Sequence, residues 1–393
     1  MLKEGLKKSE IIRELENKLA QDYSYESGYI LGSMCSKPID FGKDIYLKYI
    51  SKNLGDPGLF QGTANIENEL INDIGALYGG TNIIGSITTG GTEANIIAMR
   101  IAKKLKPQIK NPEFIIPNSA HKSFDKGEDI MCGRIKLRRV NLKKDFKLDL
   151  NHFESLINDN TCGVLGIAGT TSLGLVDPIK EIGEIIEGRE IFFHVDAAFG
   201  GFVLPFLKEL NYEIKSWDFR VKQVSSITAD PHKMGLAPIA TGGFFLRDPS
   251  ILIKMGFDIP YLAGGNFKHL HIVGTRPGAQ VIAFWAILKY LGVEGYTKIL
   301  KQCMENTRYL EKLISEIDGI KMAAKPEMNI VGITTESGAD INKLDHELRK
   351  RKWMLGRFIK FNLIRAVIMP HVNKAHLTKF SQDLEDIAKK LSL

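Results

Sequence analysis

Short apolar runs alternate with amphipathic stretches across residues 83–247 of this 393-residue chain. Seven of the runs predict strands, and three stretches with apolar residues at helical spacing predict helices. The predicted strands are 83–88, 113–116, 135–140, 162–168, 190–195, 224–229 and 242–246, and the predicted helices are 92–105, 150–158 and 178–187. Apolar strands that alternate with helices are typical of a mostly parallel sheet covered on both faces. The pattern therefore predicts an α/β fold here.

The flanking regions carry different patterns. Upstream, the sequence predicts helices over 8–20 and 66–77 and a turn-rich loop over 54–64. Downstream, it predicts long helices over 277–291 and 294–316, strands over 328–334 and 361–369, and helices over 340–351 and 374–391. We therefore expect an N-terminal helical segment (1–55), a large domain (56–300) and a small C-terminal α+β domain (301–393).

The first predicted helix has an apolar stripe formed by Ile11, Ile12, Leu15 and Leu19. Such a stripe requires an apolar surface to cover it. A partner subunit is one candidate for that surface.

Composition narrows the class of protein. Hydrophobic residues make up 44% of the chain, which is enough for a sizeable core. No apolar run reaches about 18 residues and no signal sequence is evident, so we expect no membrane segment. The net charge is +7, but the basic residues are scattered and no nucleic-acid-binding motif accompanies them. The four cysteines form no Cys-x-x-Cys pair, which indicates no zinc site or disulfide framework and fits a cytoplasmic protein.

Two residues suggest chemistry that needs a cofactor. Lys233 follows the predicted strand 224–229, and a lysine beside a cationic or apolar site loses its proton readily, as Schiff-base formation requires. Asp196 ends the predicted strand 190–195, at the sheet edge where α/β proteins bind ligands. Together they suggest an amine that bonds to pyridoxal 5′-phosphate (PLP) and a carboxylate that pairs with its ring nitrogen. Taken singly, each residue also fits an ordinary loop.

Other polar residues follow neighbouring predicted strands. Gly90, Gly91 and Thr92 open a predicted helix, where backbone N–H groups favour an anion such as a phosphate. The same segment also fits an ordinary cap, with Thr92 as the capping residue. His121 has the flat ring needed to stack on a pyridine, or it simply starts a helix. Thr170 and Thr171 also follow a strand, and they either contact a ligand or make the turn.

The order of these segments is more informative than any one of them. Each follows a predicted strand, and the carboxyl ends of parallel strands meet at one edge of a sheet. We therefore expect the glycine turn, His121, Thr170, Asp196 and Lys233 to converge on one site. The segment lacks the Gly-x-x-x-x-Gly-Lys pattern of a P-loop and the Gly-x-Gly-x-x-Gly pattern of a dinucleotide site.

These segments resemble the group II PLP-dependent amino-acid decarboxylases. The resemblance spans residues 25–393 and lies in 90–95, 168–171, 194–201 and 230–233 together with His121. The archaeal branch of L-tyrosine/L-aspartate decarboxylases is especially similar over 33–36, 53–60 and 367–371. The family implies an aspartate aminotransferase-like fold (fold type I), with a mostly parallel central sheet and a smaller C-terminal α+β domain.

The resemblance also implies roles for single residues. It implies that Lys233 bonds to PLP, that Asp196 pairs with the ring nitrogen and that His121 stacks on the ring. Tyr261 would lie on a mobile loop, and either Tyr261 or an ordered water would protonate the product. Arg365 would bind a substrate carboxylate. Further cofactor contacts that it implies are Ala198, His232, Gly274 and Thr275, the last two on a turn that reaches the phosphate of the neighbouring subunit in a homodimer.

The implied activity is decarboxylation of an L-amino acid. The resemblance suggests tyrosine to tyramine and aspartate to β-alanine, for methanofuran and coenzyme A synthesis. Glutamate decarboxylases share the motifs, and so do carbon–carbon lyases that act on sphingoid phosphates, although an expected absence of a membrane segment disfavours the lyases. The alternative to an enzyme is a non-catalytic α/β binding protein.

Overall fold

The computed structural model describes residues 4–393. The helices are α1 (Lys8–Leu19), α2 (Asp40–Lys48), α3 (Gln61–Leu77), α4 (Gly91–Leu105), α5 (Ser123–Ile130), α6 (Leu150–Leu156), α7 (Ile179–Ile185), α8 (Leu204–Glu209), α9 (Ser250–Met255), α10 (Gly278–Ser315), α11 (Ile341–Lys350) and α12 (Lys374–Leu391). The strands are β1 (Ile84–Thr88), β2 (Glu113–Pro117), β3 (Lys136–Val140), β4 (Thr161–Ile167), β5 (Phe192–Asp196), β6 (Val224–Ala229), β7 (Gly242–Leu246), β8 (Phe257–Leu262), β9 (Gly265–His269), β10 (Ile320–Met322), β11 (Ile330–Thr335), β12 (Gly356–Phe358) and β13 (Leu363–Val367).

A seven-stranded sheet forms the centre of the molecule, in the order β1-β7-β6-β5-β4-β2-β3. Six strands run parallel, and β7 runs antiparallel to its neighbours β1 and β6. Every residue of β2, β4, β5 and β7 is buried. The structure confirms the predicted mostly parallel sheet and its continuous apolar strands.

Both faces of this sheet are covered by helices. Along β2, Phe114 and Ile116 pack in the core beneath α4, whereas Ile115 packs in the core on the opposite face with residues of α3 and α10. Successive strand side chains point to opposite faces, so a strand buried on both sides must be apolar throughout. This explains why the strands read as apolar runs rather than as alternating patterns.

A second, antiparallel sheet lies in the C-terminal part, in the order β10-β11-β13-β12. Its core includes side chains from α11, α12 and the end of α10. Helix α10 connects the two sheets and is interrupted at Gly292 (φ 54°, ψ −169°), which confirms the predicted break between two long helices. Leu31 also belongs to this second core, because residues 31 and 32 hydrogen-bond to Met354. The three-part domain division stays a prediction.

Two local features differ from the predictions, and a third observation, on α1, leaves its prediction open. The loop predicted over 54–64 ends at residue 60, because Asp56 accepts hydrogen bonds from Gly58 N and Leu59 N and closes a tight turn directly before α3. The segment expected as a mobile loop around Tyr261 contains a β-hairpin, β8–β9. The apolar stripe of α1 is exposed within this single chain. No helix in residues 4–393 has the length and apolarity required to span a bilayer.

A buried ion pair joins α3 to the end of the central sheet. Arg276 Nη2 donates to Glu67 Oε2 at 2.9 Å, and Arg276 Nη1 donates to the carbonyl of Ile87 at 2.6 Å. Glu67 Oε1 in turn accepts from Ile87 N at 2.8 Å. Both charged side chains are nearly inaccessible to solvent.

We expect Glu67→Gln to lower the free energy of unfolding by about 3–5 kcal/mol, because it leaves the Arg276 charge buried without a counterion. Denaturant unfolding at fixed protein and cofactor concentrations measures the change. Glu14→Gln is the control, since Glu14 pairs with Lys18 on the exposed surface of α1 and such pairs contribute little. Equal effects of the two substitutions would contradict the expectation.

Candidate active site

A cavity of about 300 Å³ opens at the carboxyl ends of the parallel strands. Residues that follow β1, β2, β4, β5 and β6 line it, as expected for ligand sites in such sheets. The structure brings together eight of the predicted site residues there: Gly90, Gly91, Thr92, His121, Asp196, Ala198, His232 and Lys233.

The glycine turn forms one wall of the cavity at the N-terminus of α4. Gly90 has φ 151°, a conformation that L side chains rarely adopt. A Cβ atom at Gly91 would lie 2.9 Å from Asp230 Oδ2 and 3.3 Å from the Ala198 side chain. The first N–H groups of a helix lack intrahelical partners and carry positive dipole charge. This wall is therefore suited to an anion that approaches the backbone closely.

Asp196 is the last residue of β5 and is 5% exposed. Its Oδ1 accepts a hydrogen bond from Ala198 N at 3.0 Å, and its Oδ2 accepts one from Asn95 Nδ2 at 2.9 Å. A carboxylate has about four lone-pair sites, so each oxygen keeps one for a ligand. Asp196 can therefore accept a further hydrogen bond from a cation in the cavity.

Lys233 lies in the turn that follows β6 and is held beside a second carboxylate. Its Nζ is 3.2 Å from Asp230 Oδ2, and the same oxygen is 3.6 Å from His232 Nε2. His232 Nδ1 accepts from Thr241 N at 3.1 Å, which leaves the proton of a neutral ring on Nε2, toward Asp230. Burial lowers the pKa of His232 below its usual value, so the ring is neutral near pH 7.

His121 stands at the cavity between β2 and α5. Its Nδ1 accepts a hydrogen bond from Ser123 N at 3.2 Å, so in the neutral ring the proton is on Nε2. Desolvation, the largest influence, lowers the pKa of His121, although Asp196 acts in the opposite direction. A neutral, flat ring with one fixed donor is therefore available at neutral pH.

Five predicted residues lie elsewhere. Thr170 is 1% exposed, and its hydroxyl accepts from Leu175 N at 3.1 Å. Its neighbours Gly169 and Thr171 line the cavity instead. Thr170 therefore stabilises the turn, and its role as a cofactor contact stays a prediction.

Arg365 does not line the cavity in this structure. It is 6% exposed on β13, and its Nη1 donates to the carbonyl of Thr171 at 2.6 Å while its Nη2 donates to the carbonyl of Gly32. Burial lowers its pKa to about 10, which still leaves the guanidinium charged. Arg365 thus ties the small sheet to Thr171 in the cavity wall, and its role as a substrate contact stays a prediction.

Tyr261, Gly274 and Thr275 line a different depression, of about 650 Å³, together with Arg276. Tyr261 is 79% exposed on β8. Glu93 connects the two regions, because its Oε2 accepts from Thr89 N and its Oε1 accepts from Ile272 N, both at 2.8 Å. Within one chain, the structure does not bring these three residues to Lys233.

Sequence reasoning missed several residues of the cavity, above all Asn95, Ser119 and Asp230. Asp230 is three residues before Lys233, and Asn95 lies one helical turn beyond Gly91. Their closeness to predicted site residues could have identified both from the sequence. Ser119 Oγ and Asp230 Oδ1 are buried without a hydrogen-bond partner. Buried polar atoms are normally satisfied, so these two point to a polar ligand in the cavity.

Comparisons with known proteins identify the family of this chain. Residues 63–335 match the Pyridoxal-dependent decarboxylase conserved domain. The chain belongs to this family. PLP is therefore its cofactor, and the protein is a PLP-dependent amino-acid decarboxylase.

Curated relatives of this decarboxylase extend over nearly the whole chain. "L-aspartate decarboxylase" of Thermococcus kodakarensis is 44% identical over 98% of this chain and 99% of its own length. "L-aspartate/L-glutamate decarboxylase" of Pyrococcus horikoshii is 43% identical over 98% of both chains. "Probable L-tyrosine/L-aspartate decarboxylase" of Methanosphaera stadtmanae is 43% identical over 99% of this chain and 100% of its own.

Solved structures show the same fold at lower identity. The sphingosine-1-phosphate lyase of Burkholderia pseudomallei has a TM-score of 0.91 at 24% identity and covers 99% of this chain and 92% of its own. The glutamate decarboxylase of Lactobacillus brevis has a TM-score of 0.88 at 23% identity. The likeness covers 100% of this chain and 94% of that chain. These likenesses confirm the predicted fold type I architecture.

The residues of the cavity fit PLP. The helix N-terminus of α4 suits its phosphate, the Lys233 amine suits its aldehyde, and the buried Asp196 carboxylate suits its ring nitrogen. The unpaired atoms of Ser119 and Asp230 offer further polar contacts. Bound PLP supplies an electron sink for the pair of electrons released when a substrate loses its carboxylate.

Proposed function

We propose that this decarboxylase converts L-tyrosine to tyramine, L-aspartate to β-alanine, or both. The relatives from Thermococcus kodakarensis and Methanosphaera stadtmanae, similar over nearly their whole lengths, support these substrates. The products suit methanofuran and coenzyme A synthesis in the cytoplasm. The observation that carries the proposal is that Lys233, Asp196 and His121 line one cavity behind an anion-binding helix start.

In this proposal each cavity residue has one task. Lys233 Nζ would hold the cofactor covalently, and Asp230, 3.2 Å away, would accept a hydrogen bond from the Lys233 ammonium when the lysine is free. The Asp196 carboxylate would favour a proton on the ring nitrogen. His121 would pack its flat ring against the cofactor, with its Nε2–H as a hydrogen-bond donor. The glycine turn, with Thr92, binds the phosphate.

The proposed assembly is a homodimer in which each chain completes the cavity of the other. Tyr261, Gly274 and Thr275 are grouped on a surface away from their own Lys233, and Tyr261 is largely exposed. In the dimer, Gly274 and Thr275 would reach the partner's phosphate-binding turn, and Tyr261 would return a proton to the substrate's Cα. The exposed apolar stripe of α1 is a further surface for the partner to cover.

We expect Tyr261→Phe to release CO₂ and then form amine more slowly, because the group that protonates Cα is lost and the unprotonated product stays bound. Amine formed per CO₂ evolved, measured within a single turnover, falls below one. Tyr290→Phe is the matched control, since Tyr290 is also exposed but lies on α10 outside both cavities. A full yield of amine from the Tyr261 variant would remove this residue from the mechanism.

A substrate panel tests the proposed specificity. Purified enzyme with PLP is assayed for amine release from L-tyrosine, L-aspartate and L-glutamate, with the Lys233→Ala variant as the blank. The proposal predicts the highest kcat/KM for tyrosine or aspartate. Glutamate is the second candidate, because the Pyrococcus horikoshii relative is named for both acidic substrates. If kcat/KM were clearly highest for glutamate, the proposed substrates would be wrong and glutamate would take their place.

A further inference from the structure

A chain of hydrogen bonds starts at Asp196 and Asn95 in the cavity wall and continues into the core. Asn95 Nδ2 donates to Asp196 Oδ2 at 2.9 Å and to Ser123 Oγ at 2.9 Å. Asn95 Oδ1 lies 2.9 Å from His194 Nε2, and His194 Nδ1 lies 2.8 Å from Ser226 Oγ. All of these residues are buried, with exposures of 5% or less.

The chemistry of the partners fixes the direction of every bond in this chain. A carboxylate only accepts, so the Asn95 amide must turn its NH₂ group to Asp196. Its oxygen then faces His194, which must carry its proton on Nε2, and the bare Nδ1 accepts from the Ser226 hydroxyl. Burial lowers the pKa of His194 to about 4, which keeps the ring neutral. The chain thus consists of neutral groups that end at the Asp196 carboxyl group.

We propose that Asn95 is a positioning residue, which holds the Asp196 carboxylate in place for the ring nitrogen of PLP. It does so from α4, the helix whose first residues line the phosphate end of the cavity. One helix therefore sets the distance between the phosphate-binding turn and the acid. This inference rests on the role proposed for Asp196.

A neutral amide suits the position of Asn95 beside Asp196 better than a charged side chain would. A cation beside Asp196 would compete for its charge with the ring nitrogen of PLP, and a second carboxylate would repel it. An amide donates one hydrogen bond without neutralising the acid. Two donors, Asn95 Nδ2 and Ala198 N, then hold the two oxygens in a fixed orientation.

A double-mutant cycle between Asn95 and Asp196 tests the proposal. Asn95→Leu, Asp196→Asn and the double variant are stripped of cofactor, and PLP binding is measured by absorbance. The ¹⁵N chemical shift of labelled PLP reports ring protonation independently of activity. Asn95→Leu should weaken PLP binding about 10- to 100-fold, as expected for loss of one hydrogen bond to a charged group. Its effect should vanish in the Asp196→Asn background.

Two further variants keep the result interpretable. Asn306→Leu is the matched control, because Asn306 is equally buried and donates to the carbonyl of Val372, outside the cavity. It should lower stability and leave PLP affinity and the ¹⁵N shift unchanged. Asn95→Ala replaces the leucine variant if that protein fails to fold.

The outcomes separate the inference from the proposed function. Equal weakening by Asn95→Leu in both backgrounds, or no weakening at all, would overturn the positioning role of Asn95. An Asp196→Asn variant with unchanged affinity and an unchanged ¹⁵N shift would instead overturn the proposed role of Asp196 itself.

Discussion

Replacing Lys233 with alanine is expected to abolish decarboxylation, with a loss in kcat/KM of about 10³-fold or more, in the range found when a covalent catalytic group is removed. Lys233 is the lysine that lines the cavity, beside Asp230 and facing the other polar groups. Without it, PLP would bind only through non-covalent contacts. Steady-state assays and the absorbance of the purified protein measure both effects.

Borohydride reduction followed by peptide mapping makes this prediction specific. Wild-type protein should retain the reduced cofactor on the peptide that contains Lys233. Lys222→Ala is the matched control, because Lys222 precedes the same strand, β6, at the opposite end and is exposed. Residual activity of the Lys233 variant within tenfold of wild type would show that the covalent link lies elsewhere.

Asp196→Asn is expected to lower kcat by between about 10²- and 10⁴-fold. The substitution keeps the shape of the side chain but removes the charge that faces the ring nitrogen. Loss of a buried counterion removes about 3–5 kcal/mol of stabilisation from the protonated ring, which corresponds to this range. The ring would then bind in its neutral form, which is a poorer electron sink. Rapid mixing with saturating substrate measures the chemical step separately from binding.

Asp345→Asn is the control for a lost buried carboxylate. Asp345 is 1% exposed and pairs with Arg349 at 2.8 Å in the small C-terminal part of the molecule. Its loss should reduce stability without a change in kcat of the folded enzyme. If Asp196→Asn kept more than a tenth of the wild-type kcat, the ring nitrogen would not need this acid.

Most of the central sheet was predictable because β2, β4, β5 and β7 are buried along their whole length and therefore apolar. Predicted and observed limits of all seven strands agree within two residues. The β8–β9 hairpin was missed for the opposite reason. Its residues are largely exposed and Pro260 interrupts β8, and proline inside a run argues against a strand.

The polar edge of the sheet was predictable in outline and not in detail. Residues that follow parallel strands must meet, so Gly91, Asp196 and Lys233 were brought together by topology alone. Which of two adjacent threonines faces the cavity depends on the local turn, and Thr171 does so while Thr170 turns inward. The sequence also cannot show that Arg365 is already occupied by two backbone carbonyls.

Contacts across a subunit interface are the hardest to read from one chain. Nothing in the local pattern around Tyr261 distinguishes a residue for its own cavity from one for a partner. Asn95 shows a related limit, because its partners Asp196 and His194 are about a hundred positions away in the chain. Only the packing of α4 over β5 reveals that they touch.

A crystal structure of the protein with PLP bound would show both contacts of the cofactor at once. We expect continuous density from Lys233 Nζ to the cofactor, with the ring nitrogen within hydrogen-bond distance, about 2.7–3.0 Å, of an Asp196 oxygen. Density that joins PLP to another lysine, or a ring nitrogen that faces a group other than Asp196, would contradict this expectation.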